Sequence, residues 1–86
     1  MKFKINKGFI VQKVGDKSTI FDGEESALYT FNRIGSVIFN KIRQGWDKEK
    51  IVKFLSKTYV IREETAGKDF DEFTKKLIKS KIIKKA

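Results

Sequence analysis

Hydrophobic and polar residues alternate along the first third of the chain, then recur at three- and four-residue intervals along the rest. Phe3 and Ile5 are separated by lysine, Phe9-Ile10-Val11-Gln12-Lys13-Val14 runs into Gly15-Asp16, and Ser18-Thr19-Ile20-Phe21 follows. Short runs rich in β-branched and aromatic residues predict strands. Gly15-Asp16 tolerates the positive φ of a tight hairpin, and Asp22-Gly23-Glu24-Glu25 marks a second turn before Ala27-Leu28-Tyr29-Thr30-Phe31, the third strand of the expected sheet.

The period then lengthens. Asn32 is placed to cap a helix whose apolar stripe is Ile34, Val37, Ile38 and Ile42, with Gly45 just past its end. Asp47 caps a second helix with Ile51, Phe54, Leu55 and either Thr58 or Tyr59 on one face. A third, beginning between Glu63 and Thr65, carries Ala66, Phe70, Phe73 and Leu77. Ile82-Ile83 closes the chain against the body. The order predicts an α+β fold, winged helix-turn-helix-like, with a three-stranded antiparallel sheet followed by three helices.

Composition narrows the chemistry. Eighty-six residues, 40% of them hydrophobic, make one expected domain spanning residues 1–86. With neither Cys nor His, the chain has no thiol or imidazole nucleophile, no Ser-His-Asp or Cys-His triad, and no thiolate or imidazole metal site. No cofactor and no catalytic residue is expected. An acid/base pair from Asp69 with Asp71 or Glu72 has nothing nearby to raise one pKa. No apolar run reaches the roughly 18–20 residues of a membrane span and no signal peptide begins the chain, so a cytoplasmic location and no membrane partner are expected. Twenty basic against eleven acidic residues give a net charge of +9, which attracts anionic partners. Between Phe73 and Ala86, Lys75, Lys76, Lys79, Lys81, Lys84 and Lys85 face no acidic residue in the sequence. They complement the dipole at a helix end and would steer an acidic peptide or enzyme at long range.

The segment Phe31-Asn32-Arg33-Ile34-Gly35-Ser36-Val37-Ile38-Phe39 resembles the PqqD family, small proteins that accompany pyrroloquinoline quinone synthesis and whose relatives serve many ribosomal peptide natural-product pathways. The likeness continues through Gly45, Lys50-Ile51-Val52 and Phe54-Leu55 to Asp69, Phe70, Phe73, Leu77 and Ile82-Ile83. Phe39 stands where the family usually has Trp, Lys81 where it has Gly, and Phe31 where Leu is more common, the pattern of a distant member. The resemblance implies a precursor peptide recognition element. It would bind the leader segment of an unmodified precursor as an extra antiparallel strand on the third strand, in a groove walled by the third helix, and hand it to a modifying enzyme or leader peptidase without catalysis.

On that implication the peptide-binding residues are Ala27, Leu28, Tyr29, Thr30 and Phe31 on the strand and Asp69, Glu72, Phe73 and Lys76 on one flank of the helix. Strand alternation puts Ala27, Tyr29 and Phe31 on one face and Leu28 and Thr30 on the other. Phe31 is expected in the core, leaving Leu28, Tyr29 and Thr30 to the groove. Phe70 and Leu77 read as core, Asn32 as a cap, Gly35 as a packing residue, and Trp46 either as a cover for the core edge or as a contact for a partner enzyme. A winged-helix DNA-binding protein is the alternative. Glu63, Glu64, Asp69, Asp71 and Glu72 oppose it, because they crowd the half of the third helix that would meet a phosphate backbone.

Overall fold

The computed structural model describes residues 2–13, 15, 17–23 and 26–86, and of Val14 the backbone alone. Asp16, Glu24 and Glu25, expected in turns, lie outside the described residues. Strands β2 (Phe9–Val14), β3 (Lys17–Asp22) and β4 (Ala27–Thr30) form an antiparallel sheet in that order. Helices α1 (Arg33–Arg43), α2 (Lys48–Tyr59) and α3 (Glu63–Lys79) follow, as the change of period requires.

Register sorts the sheet into two faces. Val11, Ile20 and Tyr29 are cross-strand neighbours on the inner face, where Ile20 is fully buried. One residue along, Ile10, Phe21 and Leu28 form an outer row open to solvent. Because side chains alternate with period two, both rows follow from a single alignment of the three strands.

The stretch Phe3–Ile5 (β1) belongs to a different sheet. It pairs antiparallel with β5 (Ile83–Lys85), Phe3 opposite Lys85 and Ile5 opposite Ile83. Its pairing buries Phe3, whose ring centroid lies 6.0 Å from that of Phe70, and seats Ile83 beside Ile82 in the core. The Asn6 N–H donates to Ile82 C=O at 2.9 Å, and the Asn6 side-chain amide donates to Lys81 C=O at 2.7 Å. These bonds clamp the two ends of the chain together. Lys81 itself has φ +61°, a left-handed backbone that favours glycine.

The helices form for local reasons. Asn32 caps α1 by accepting the Gly35 N–H on Oδ1 at 2.8 Å, and Asp47 caps α2 by accepting the Lys50 N–H at 3.0 Å. Gly45, with φ +87°, reverses the chain between these helices. No side chain caps α3; Glu63 and Glu64 in its first turn complement the helix dipole instead. Ile38, Phe39 and Ile42 from α1, Ile51, Val52 and Leu55 from α2, and Ala66, Phe70 and Leu77 from α3 meet in one core. Trp46 packs edge-on to Phe54 with ring centroids 5.7 Å apart. It closes the core edge, with the Lys41 and Lys50 ammonium groups 4.3 and 4.2 Å from its ring centroid.

A buried polar seam joins sheet to helices. The Ser18 N–H donates to Ser36 Oγ at 2.7 Å, and the Ser36 hydroxyl donates to Phe31 C=O at 3.3 Å. Ser18 and Phe31 are the next cross-strand pair in the β3–β4 register, where the Phe31 N–H still reaches Ser18 C=O at 3.1 Å. The hydroxyl thus stands in for the second backbone bond of that pair and opens the ladder where the chain turns into α1. Ser36→Ala should cost about 1–3 kcal/mol, since it orphans a buried donor and a carbonyl. Phe70→Ala should cost about 3–5 kcal/mol as a cavity forms. Chemical denaturation of both variants checks the order; a neutral Ser36→Ala would show the seam to be dispensable.

Candidate functional site

Antiparallel pairing decides which backbone groups of β4 are spoken for. Phe31 bonds Ser18, so by alternation Tyr29 and Ala27 also direct their N–H and C=O toward β3. Leu28 and Thr30 point theirs away from it. The sheet order puts no strand of the sheet beyond β4, so these two residues present a border that can accept another strand.

An apolar cleft of about 430 Å³ runs beside that border. Tyr29, Thr30, Phe31 and Asn32 form one wall, and Phe73, Lys76, Leu77 and Lys79 of α3 the other, with Ser80 and Ile82 at the end. Leu77 and Ile82 are core residues that also line this cleft, so its apolar lining continues the protein interior. Phe31 is half-buried and does not sink fully into the core as expected. Its ring lies against Phe39, centroids 5.4 Å apart, and meets Phe73 edge-on at 4.9 Å. Having the core on one side and the cleft on the other, the ring cannot be buried completely.

Past Asn32 the cleft continues into a smaller cavity of about 260 Å³, lined by Ile34, Gly35 and Ile38 of α1 and by Asp69, Glu72, Phe73 and Lys76 of α3. Phe73 and Lys76 belong to both spaces. The α3 flank of Asp69, Glu72, Phe73 and Lys76 is therefore brought together with Tyr29, Thr30 and Phe31. Ala27 and Leu28 line neither space; Leu28 is 66% exposed on the outer face, and Ala27 lies at the far end of the border. Sequence reasoning missed Leu77, Lys79, Ser80 and Ile82 as lining residues, because an apolar stripe does not reveal which of its members sit at the rim. The helical spacing of Lys79 from Lys76 was the available signal.

Gly35 is a packing residue with a specific neighbour. A Cβ built there would come within 2.9 Å of Phe73 Cε1 and 3.2 Å of Asn32 Oδ1. The close approach of α1 to α3 at the junction of the two spaces needs that missing atom. No cluster of three or more His, Cys, Asp or Glu among the described residues could hold a metal ion. None of their helices is long and apolar enough to cross a membrane.

The family model for coenzyme PQQ synthesis protein D (PqqD) matches residues 18–83. No curated protein matches the chain. Among solved structures, TbiB1 in complex with the TbiA(beta) leader peptide is similar, with a TM-score of 0.88 at 19% identity over 98% of this chain and 95% of that one. Lasso peptide synthetase B1 complexed with the leader peptide is similar at a TM-score of 0.91 and 15% identity, over 98% and 99% of the two chains. At these identities the structural likeness is one of fold.

Gly35→Ala should set overpacking strain of about 1–3 kcal/mol against a helix-propensity gain of about 1 kcal/mol, a net loss of about 1 kcal/mol. Denaturation midpoints together with shifted aromatic resonances of Phe31 and Phe73 check it. Unmoved resonances would mean that the ring has free room.

Proposed function

The chain belongs to the PqqD family, and from that premise and the border of β4 we propose that it is a non-catalytic peptide-recognition domain. It binds the leader segment of a ribosomally synthesised precursor as an antiparallel strand on β4 and presents it to a modifying enzyme or leader peptidase. The observation that carries this reading is the coincidence of outward-facing backbone at Leu28 and Thr30 with an apolar cleft alongside. Strand addition needs both: the ladder holds any extended chain, and pockets choose among sequences. The two solved structures of similar fold hold leader peptides, which supports the reading.

Magnitudes show why the cleft matters. The N–H and C=O of Leu28 and of Thr30 offer four bonds, at about 0.5–1.5 kcal/mol net each, or roughly 2–6 kcal/mol. Micromolar binding needs about 8 kcal/mol after the peptide has been ordered. Apolar side chains in the space between Phe31, Phe73, Leu77 and Ile82 must supply the difference, at about 1.5–3 kcal/mol for each one buried. The peptide contacts proposed are Ala27, Leu28, Tyr29, Thr30 and Phe31 along the strand and Asp69, Glu72, Phe73 and Lys76 across from it. Ala27 and Leu28 would act through the ladder.

Nucleic acid is the weaker candidate partner. Glu63, Glu64, Asp69, Asp71 and Glu72 are all exposed along the first ten residues of α3, the part that a winged-helix protein would lay against phosphates. The absence of His and Cys from the sequence supports the non-enzymatic reading.

Thr30→Pro tests strand addition directly. It removes one outward N–H and leaves the bonds to β3 in place, and an edge strand tolerates proline at such a position. Calorimetric titration with the leader of a precursor encoded beside this protein's gene should show at least about tenfold weaker binding, a loss of about 1.4 kcal/mol, with an unchanged circular dichroism spectrum. Wild-type affinity in the folded variant would place the peptide elsewhere.

A further inference from the structure

The cleft is not electrically uniform. Beside Tyr29 and Thr30 it is lined by Lys76 and Lys79, and beyond Asn32 its continuation is lined by Asp69 and Glu72, with Lys76 at the boundary and shared by both. All four side chains are exposed at the rim. The order arises because α3 crosses the cleft against the direction of β4: as the opposite wall advances from Tyr29 to Gly35, α3 runs back from Ser80 to Asp69. The acidic first half and the basic second half of one helix are thereby laid out along the path of a bound strand.

Strand direction turns this layout into a selection rule, which rests on the strand-addition reading above. A chain paired antiparallel to β4 has its N-terminal residues near Asn32 and Gly35 and its C-terminal residues toward Ala27. The geometry points to a charge register for the ligand: an extended peptide with a cationic residue N-terminal to its pocketed apolar anchor and an acidic residue C-terminal to it. Asp69 and Glu72 attract the first, Phe73, Leu77 and Ile82 hold the anchor, and Lys76 and Lys79 attract the second.

The N-terminus of α1 also borders the acidic end, and its dipole has the opposite sign. That dipole amounts to about half a charge, and Asn32 already accepts the Gly35 N–H on its side chain and the Ser36 N–H on its carbonyl, both at 2.8 Å. Asp69 and Glu72 outweigh it even with Lys76, which lines both spaces, counted beside it. Exposed charge pairs are individually weak, at about 0.2–1 kcal/mol each, so the register acts by summing several of them along the strand.

The experiment uses two synthetic peptides of identical composition with the same β-prone apolar centre. One carries Lys and Arg before the centre and Asp and Glu after it; the other has the charges exchanged. Fluorescence anisotropy at low salt should show the first binding about tenfold more tightly, and the gap should narrow in about 0.5 M salt, where the screening length shrinks to a few Å. Replacing both acids, Asp69→Lys with Glu72→Lys, should remove the preference. Equal affinities of the two peptides at low salt, or the opposite preference, would overturn the register while leaving strand addition standing. Failure of both peptides to bind at about millimolar concentration, where the ladder together with a pocketed apolar centre should register, would overturn strand addition and the register together.

Discussion

A border that captures another chain must be rigid yet unfinished, and in this fold both properties trace to the hydroxyl of Ser36. A ladder running on past Phe31 would keep the chain paired along β3 instead of letting it turn into α1. Ser36 Oγ takes the Ser18 N–H and supplies the Phe31 C=O, so the buried backbone groups are satisfied while the strands part. Asn40 adds a contact from its side-chain amide to Ser18 Oγ at 3.4 Å. The parting lets Asn32 begin α1 one residue later and turns the Phe31 ring onto Phe39 and Phe73. Anchored by β3 on one side and by this seam at its end, β4 keeps its outward groups at Leu28 and Thr30 in a fixed line, so part of the ordering cost of the proposed strand addition is met in folding.

The other wall depends on the chain termini. Ile82 lies at the end of the cleft only because Lys81 adopts a left-handed turn after α3 and β5 then pairs with β1. Asn6 ties that turn down through two bonds, to Lys81 and Ile82. Residues at opposite ends of the sequence therefore shape a site in which β1 takes no direct part. A glycine at Lys81 would adopt the same turn with less strain.

Much of this was legible in sequence because it is local. The change from alternation to a three-to-four period located the sheet and the helices. Asn32 and Asp47 declared themselves as caps, and alternation along Ala27 to Phe31 separated Tyr29 from Leu28. The pairing of β1 with β5 was not legible, since three residues of Phe-Lys-Ile type specify no partner and the contact spans nearly the whole chain. Phe31 and Phe73 were hard for a different reason. Helical or strand spacing says that a ring turns inward, but whether it meets solid core or the lip of a cleft depends on the gap between two elements. Gly35 shows the same limit: a packing glycine could be guessed, but that its missing atom makes room for Phe73 could not.

The chain's charge acts at two stages that distance separates. Six lysines between Phe73 and Ala86 supply most of the net +9, and their field extends about one Debye length, roughly 10 Å, into solvent at moderate salt. That field raises the encounter rate of an acidic chain without regard to its direction. Once a chain lay along β4 in the proposed manner, only charges at the rim of the cleft would differ between one direction and its reverse, and there Asp69 and Glu72 oppose the very sign that attracted it. A uniformly basic rim would hold an acidic peptide equally well in many registers. Two carboxylates at one end would make some placements unfavourable, which is how a ladder blind to sequence would acquire the proposed orientation.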